Sequence, residues 1–166
     1  MHSMSKGFDM IGWRIGWVCG NERIVQAFAD VKDNCDSGQF MAIQKAAAAG
    51  LDDDSIPPRT KAKYERRLKK LVAMLQRCGF DCRMPGGTYF LYTRTPKSAQ
   101  GGALQFENAE AASQFLITQQ SIVTVPWDDA GAFLRFSVTY EAADDAAEDA
   151  LMAEAESRFR AAQLAF

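Results

Sequence analysis

The strongest pattern of apolar and polar positions lies between residues 59 and 77. Apolar side chains recur there every three or four residues, at Tyr64, Leu68, Leu71, Leu75 and Cys78. This spacing predicts one long amphipathic helix, and Gly79 fits the residue just past its end. The opposite side carries the basic residues Lys61, Arg66, Lys69 and Lys70. Such a run is more typical of a solvated helix face than of an anion site.

Weaker patterns predict four further helices. One begins after Asn21, which fits a helix N-cap, and the others span residues 39–49, 108–120 and 141–159. Aromatic and β-branched runs predict strands at residues 13–18, 80–84, 88–93, 122–125 and 133–138. Pro57 and Pro58 are expected to block helix formation, and Pro126 to end the fourth strand. Helices and strands mixed in this order predict an α/β or α+β fold.

Composition and charge narrow the class of protein. The 166 residues are 48% hydrophobic and 24% charged, which is typical of a globular domain. A formal net charge of −2 argues against a nucleic-acid binder that works through bulk charge. No apolar run reaches the length of a membrane helix and no signal peptide is visible, so we expect a cytoplasmic protein with no membrane partner.

The cysteines and the only histidine give little sign of a metal site. Cys19, Cys35, Cys78 and Cys82 lack a paired C-x-x-C spacing, and His2 stands alone. Structural zinc needs four ligands of these types. We therefore expect no bound metal, and reduced thiols that pack as small buried hydrophobic side chains.

The chemistry-bearing residues lie near the start of the chain. Lys6 follows Ser3 and Ser5, and Arg14 comes eight residues later. A lysine amine can form an imine with an aldehyde, while hydroxyl and guanidinium groups suit a phosphate. The set therefore fits an aldehyde that also carries a phosphate, such as pyridoxal 5′-phosphate (PLP). The residues alone favour a polar surface loop, because serine, lysine and arginine are common on protein surfaces.

Three motifs, taken in order, resemble one enzyme family. They are Ser3-x-Ser5-Lys6-x5-Gly12-x-Arg14-x-Gly16, Pro85-Gly86-Gly87-Thr88-Tyr89-Phe90, and Val125-Pro126 followed by Phe133-Leu134-Arg135-Phe136-Ser137. They look like the lysine signature, the Gly-Gly-aromatic strand and the arginine strand of the class I/II aminotransferases, which are fold-type-I PLP enzymes. The resemblance covers nearly the whole chain and is nearest to aspartate or LL-diaminopimelate aminotransferase-like members.

The resemblance implies a fold and a division of the chain. It implies an α/β chain that forms the C-terminal part of a fold-type-I PLP-dependent transferase. Residues 1–50 would be the end of the large cofactor domain, and residues 51–166 the small α/β domain.

The resemblance also implies roles for individual residues. Lys6 would form the imine with PLP and move the proton at the substrate Cα. Ser3, Ser5 and Arg14 would bind the cofactor phosphate. Arg135 would bind the α-carboxylate of an amino acid, whose amino group passes to a 2-oxo acid.

Aminotransferases of this family are about twice as long as this chain. The lysine motif begins as early as Ser3, which suggests that the chain begins inside a larger ancestral domain. The half expected to be missing would supply a glycine-rich phosphate loop, a ring stacked on the cofactor and the aspartate at the pyridine nitrogen. We therefore expect a homodimer or a requirement for that half. PLP binding and transamination by the 166 residues alone should be weak.

Two other functions remain open on the sequence. Ser3-x-x-Lys6 matches the S-x-x-K signature of serine hydrolases. With His2 and Ser5 it would support low-level ester hydrolysis. The chain could also be a non-catalytic, dimerising remnant that presents an apolar patch of Phe8, Trp13, Trp17, Phe40 and an alanine run.

Overall fold

The computed structural model describes all 166 residues, which form two compact units, Met1–Lys63 and Tyr64–Phe166. The first unit contains, in chain order, β1 (His2–Ser3), a 3-10 helix (Ile11–Trp13), β2 (Gly16–Trp17), α1 (Glu22–Asp33) and α2 (Met41–Leu51). A long helix, α3 (Ile56–Arg77), runs across the boundary between the units.

The second unit combines helices with short antiparallel strands. Its elements after α3 are β3 (Phe90–Arg94), β4 (Ser98–Ala99), a 3-10 helix (Gln100–Gly102), β5 (Leu104–Gln105), α4 (Ala109–Gln120), β6 (Val125–Trp127), β7 (Phe133–Ser137) and α5 (Asp145–Ala162). Three strands form one sheet in the order β3-β7-β6, and β4 pairs with β5. The mixed α/β character predicted from the sequence is confirmed.

The core of the second unit lies between the helices and one face of the three-stranded sheet. Alternate strand residues are buried there, namely Leu91, Thr93, Leu134 and Phe136. The apolar face of α3 packs into the same cluster through Leu68, Leu71 and Leu75, as its spacing predicted. The other face of the sheet, with Tyr92 and Trp127, remains open to solvent.

The ends of several helices follow from local sequence. The Asn21 side chain caps α1 by accepting a hydrogen bond from the Arg23 amide, as predicted. Gly79 ends α3 in a left-handed conformation with φ +92°, and the Phe80 amide donates to the Leu75 carbonyl at 3.0 Å. This is the 6→1 bond of a Schellman motif.

The predicted effect of the two prolines on α3 is wrong. Pro57 and Pro58 lie in the first turn of the helix, which begins at Ile56. Amides in a first turn have no partner within the helix, so proline costs no hydrogen bond there. Asp53 stabilises the turn before the helix, because its carboxylate accepts hydrogen bonds from the amide and hydroxyl of Ser55.

The predicted strands differ from the structure at three places. Residues 13–18 form a strand only at Gly16–Trp17, since Arg14 takes a left-handed conformation with φ 53° after the 3-10 helix. Residues 80–84 form no strand, although Phe80 is buried against the rings of Phe136 and Phe159. The strand predicted at residues 122–125 shares only Val125 with β6, and Pro126 lies inside β6 rather than ending it, which is tolerated because β6 is an edge strand.

Ion pairs join α3 to α5. Lys70 of α3 contacts the carboxylates of Asp145 and Asp149 at 2.7 Å, and Arg66 contacts Glu148 at 2.8 Å. Lys70 is therefore largely buried rather than solvated as the sequence predicted. Only part of the basic face remains open to water, and the rest serves helix packing. No helix of the chain is both long and apolar enough to cross a membrane.

Candidate functional site

The β1–β2 ladder joins the serine segment to the segment that carries Arg14. His2 pairs with Trp17 and Ser3 with Gly16. The Ser3 hydroxyl donates to the Ile15 carbonyl at 3.4 Å, next to Arg14 in the chain. A Cβ on Gly16 would lie 2.5 Å from the His2 carbonyl oxygen, so only glycine allows this approach of the two strands.

The two serine hydroxyls lie together. The Oγ atoms of Ser3 and Ser5 are 3.0 Å apart, and the Ser5 amide donates to the Ser3 Oγ at 3.1 Å. Met4, between them, is completely buried and its amide donates to the Ile15 carbonyl. A Cβ on Gly50 of α2 would lie 3.2 Å from the Met4 methyl carbon. The buried methionine thus anchors a pair of hydroxyls that stay accessible to solvent.

Lys6 and Arg14 are both solvent-exposed side chains in this unit. Arg14 Nη1 donates to the Ile11 carbonyl at 3.1 Å, which leaves other guanidinium donors available to an anion. The His2 ring stacks on Trp17, with ring centroids 4.9 Å apart. The ladder therefore brings the serine hydroxyls to the segment that carries Arg14, and Lys6 follows Ser5 directly in the chain. This donor set fits the phosphate and the aldehyde of PLP.

Arg135 lies in the second unit, at the centre of the open face of the three-stranded sheet. It stands in β7, opposite Tyr92 of β3 on one side and Val125 of β6 on the other. Its guanidinium carbon is 4.3 Å from the Phe90 ring centroid and 5.9 Å from that of Trp127. No Asp or Glu of the chain forms a salt bridge with it.

An arginine without a carboxylate partner, held among aromatic rings on a half-exposed surface, suits an anionic ligand. Its planar fork of donors can bind a carboxylate through two parallel hydrogen bonds. Tyr92 is 45% exposed and Trp127 is 40% exposed, so a small ligand can reach this face.

Sequence reasoning identified Arg135, and Phe90 as part of another motif, but not that aromatic rings surround the Arg135 guanidinium. The alternation of β3 could have indicated Tyr92, since it shares a face with Phe90. Nothing local indicates Trp127, because its place beside Arg135 depends on the pairing of β6 with β7.

The cysteines are divided between surface and interior. Cys82 is buried and Cys78 partly buried, and burial raises the pKa of both thiols. Cys19 and Cys35 are exposed, so the expectation that all four are buried is wrong. No group of three or more His, Cys, Asp or Glu side chains is placed to hold a metal ion.

The proposed apolar patch is partly exposed. Trp13 is 47% exposed and Phe40 72%, whereas Phe8 and Trp17 are half-buried. Helix α1 buries none of its residues and leaves Ile24 on the surface.

Comparison with known proteins gives one consistent result. Residues 1–151 match the family model described as aminotransferase class I and II. The LL-diaminopimelate aminotransferase of Methanococcus maripaludis is 47% identical over all of this chain, and the match covers 41% of that protein. The enzyme of the same name from Methanocaldococcus jannaschii is 51% identical over 87% of this chain and 34% of its own length.

Solved structures give the same fold. The aspartate aminotransferase of Rhizobium meliloti matches with a TM-score of 0.80 and 25% identity, over 98% of this chain and 41% of that chain. Substrate-bound BacF from Bacillus subtilis matches with a TM-score of 0.81 and 27% identity, over 99% of this chain and 40% of that chain. The chain thus spans about two fifths of the length of these relatives.

These matches agree with the three motifs of the sequence. The fold is that of fold-type-I aminotransferases, and the hydrolase alternative finds no support among the relatives. By sequence and by fold, the chain belongs to the aminotransferase class I and II family.

Proposed function

We propose that this chain carries the lysine, phosphate and carboxylate sites of a PLP-dependent aminotransferase that acts on LL-diaminopimelate or a closely similar amino acid. One observation carries the proposal: the β1–β2 ladder sets the paired hydroxyls of Ser3 and Ser5 beside the segment of Arg14, with Lys6 next in sequence. Aminotransferases of this family depend on PLP and use amino acids and 2-oxo acids.

The residues of the first unit would hold the cofactor. The hydroxyls of Ser3 and Ser5 and the guanidinium of Arg14 would donate hydrogen bonds to its phosphate. When bound, PLP supplies an aldehyde carbon and an electron-withdrawing ring that stabilises negative charge at the substrate Cα. The Lys6 amine would hold the cofactor covalently and would accept and return the proton at that carbon.

Arg135 would bind the α-carboxylate of the substrate. Its guanidinium has no carboxylate partner within the chain, and its position on the open sheet face leaves it accessible. A fork-to-fork pair would fix both position and rotation of the carboxylate. The choice of LL-diaminopimelate is supported by the names of relatives that are 47% and 51% identical to this chain.

The proposal extends to partners and location. The chain spans about two fifths of its relatives, so we propose that the remaining groups of the site come from a further polypeptide segment or from a second copy. The division into a cofactor part at residues 1–50 and a small domain at 51–166 belongs to the same proposal, as does a cytoplasmic location.

The test is a visible absorption spectrum of the protein with PLP added. A band that borohydride removes, absent in Lys6→Ala, would support covalent binding at Lys6. Lys45→Ala is the matched control, because Lys45 is an exposed lysine of α2 in the same unit. Survival of the band in Lys6→Ala would overturn the assignment. Amino transfer from LL-diaminopimelate to a 2-oxo acid is measured in parallel.

A further inference from the structure

Trp127 lies beside the guanidinium that is proposed to bind the substrate. Its ring centroid is 5.9 Å from the Arg135 guanidinium carbon, while Phe90 lies closer to the same carbon at 4.3 Å. The face of an aromatic ring attracts a cation through its quadrupole. Two rings on different strands therefore act on one guanidinium and restrict how its planar fork can turn.

A third ring supports Trp127 in this place. Tyr92 meets Trp127 edge to face, with centroids 5.9 Å apart and planes at 89°. Tyr92 is also the residue that pairs with Arg135 across β3 and β7. The open face of the sheet thus carries a connected aromatic cluster around one arginine.

The loop that follows Trp127 is fixed at both ends. The Asp128 carboxylate accepts hydrogen bonds from the first amides of α4, Ala109 at 2.8 Å and Glu110 at 3.3 Å. At the far end, the Ala132 carbonyl accepts a hydrogen bond from the Thr95 amide at 3.0 Å. Helix α4 already has the side chain of Asn108 as its N-cap.

The bond from Asp128 is therefore additional to ordinary capping. Asn108 bonds to the Ala111 amide, whereas Asp128 reaches across 18 and 19 residues of sequence to the two preceding amides. A carboxylate at a helix N-terminus is favoured by the helix dipole. The contact holds Asp128, the residue directly after Trp127, against the start of helix α4. It therefore restricts the position of the Trp127 indole on the sheet face.

We propose that Trp127 is a positioning residue for the substrate carboxylate, acting through Arg135, and that Asp128 holds Trp127 in place. The inference rests on the proposed function, since it takes Arg135 as the carboxylate ligand. A guanidinium that turns more freely spends only part of its time in the orientation that makes both parallel hydrogen bonds to the carboxylate. All substrates with an α-carboxylate are affected alike, whatever their side chain.

The first measurement does not depend on turnover. The Nε–Hε resonance of Arg135 is observed by nitrogen-15 NMR and assigned by its absence in Arg135→Lys. In Trp127→Ala this resonance shifts before any ligand is added, because the ring that lies over the guanidinium is gone. Titration with 2-oxoglutarate then gives a dissociation constant about two- to fivefold larger than that of the unmodified protein, the range of an exposed cation–π contact.

The second measurement separates positioning from general damage to the fold. Trp127→Ala raises KM for both the amino acid and the 2-oxo acid by the same factor and leaves kcat and PLP affinity unchanged. Trp127→Phe restores most of the loss. Val123→Ala is the control, because Val123 is 77% exposed and lies before β6, outside the residues that pair with β7.

A double-variant cycle tests the role of Asp128. If Asp128 acts only through Trp127, Asp128→Ala combined with Trp127→Ala raises KM no further than Trp127→Ala alone. If the double variant raises KM by the product of the two single factors, that role is overturned.

An unmoved Arg135 resonance and unchanged KM in Trp127→Ala would overturn the proposal for Trp127. If instead Arg135→Lys itself leaves KM unchanged, the proposed function of Arg135 fails, and the inference fails with it.

Discussion

Arg67 of α3 and Glu148 of α5 form an ion pair that is almost completely removed from solvent. The Arg67 Nε lies 2.6 Å from Glu148 Oε1, and the two side chains are 5% and 1% exposed. Arg66 reaches the same carboxylate from the surface side. Arg67 also donates to the backbone carbonyls of Val138 and Tyr140. The buried pair thus joins the two helices, and its arginine ties them to the segment that follows β7.

Glu148→Gln should strongly destabilise the second unit. The change leaves the Arg67 guanidinium buried without its counter-charge, and breaking a buried pair costs about 3–5 kcal/mol. Chemical denaturation, followed by the shift of the unfolding midpoint, measures the loss. The matched control is Glu154→Gln on the same helix, where the pair with Arg158 is exposed and worth at most about 1 kcal/mol. Equal shifts of the unfolding midpoint in the two variants would contradict the prediction that the buried pair contributes more to stability than the exposed pair.

The same carboxylate predicts an acid-sensitive stability. Hydrogen bonds from Arg66 and Arg67 outweigh burial and hold the pKa of Glu148 at about 2, against an ordinary value of 4.5. A lowered pKa means that the unfolded chain binds the proton more readily than the folded chain. The stabilisation is therefore complete above the unfolded pKa of 4.5 and is lost as the pH falls towards 2. Thermal melts between these limits should show this fall, and it should be smaller in Glu148→Gln.

Local patterns predicted the parts of the structure that depend on neighbours in sequence. The N-cap at Asn21, the apolar face of α3 and its end at Gly79 are all confirmed. These features depend on residues within one or two turns, so a single segment contains the signal. Pro57 misled the prediction because its effect depends on whether it lies inside a helix or at its start.

The surroundings of the candidate site could not be predicted in the same way. Arg135, Phe90 and Trp127 come together only through the register of β7 with its two neighbours. That register depends on how the whole sheet packs on the core, so it cannot be predicted from the sequence of one segment alone. The motifs therefore identified Arg135 and Phe90 separately, whereas their proximity, and that of Trp127, follows only from the fold.

Gly16→Ala should disrupt the candidate phosphate site without unfolding the chain. The new Cβ would lie 2.5 Å from the His2 carbonyl oxygen, a backbone atom that can yield only if β1 and β2 separate. Ser3 and Ser5 would then move away from the segment of Arg14. We expect a fall in PLP affinity of at least about tenfold, which equals the loss of one charge-assisted hydrogen bond, measured by titration of the visible band.

Gly12→Ala is the control for that experiment. No atom lies within 4 Å of a Cβ built at Gly12, and its backbone has no positive φ. PLP affinity in this variant should equal that of the unmodified protein. If Gly16→Ala also leaves PLP affinity unchanged, the β1–β2 ladder does not position the phosphate ligands.

Arg135→Lys should separate substrate binding from cofactor binding. Lysine keeps the charge but has a single ammonium in place of the planar fork, so one of the two parallel hydrogen bonds to a carboxylate is lost. A hydrogen bond to a charged group is worth about 1.5–3 kcal/mol, so the affinity for amino acid and 2-oxo acid should fall by about 10- to 150-fold. The affinity for PLP should stay nearly constant, because Ser3, Ser5, Lys6 and Arg14 are untouched.

Spectral titrations with cofactor and then with substrate measure both affinities on one sample. An equal loss of PLP affinity would falsify the carboxylate role and would make Arg135 a structural residue or a phosphate ligand.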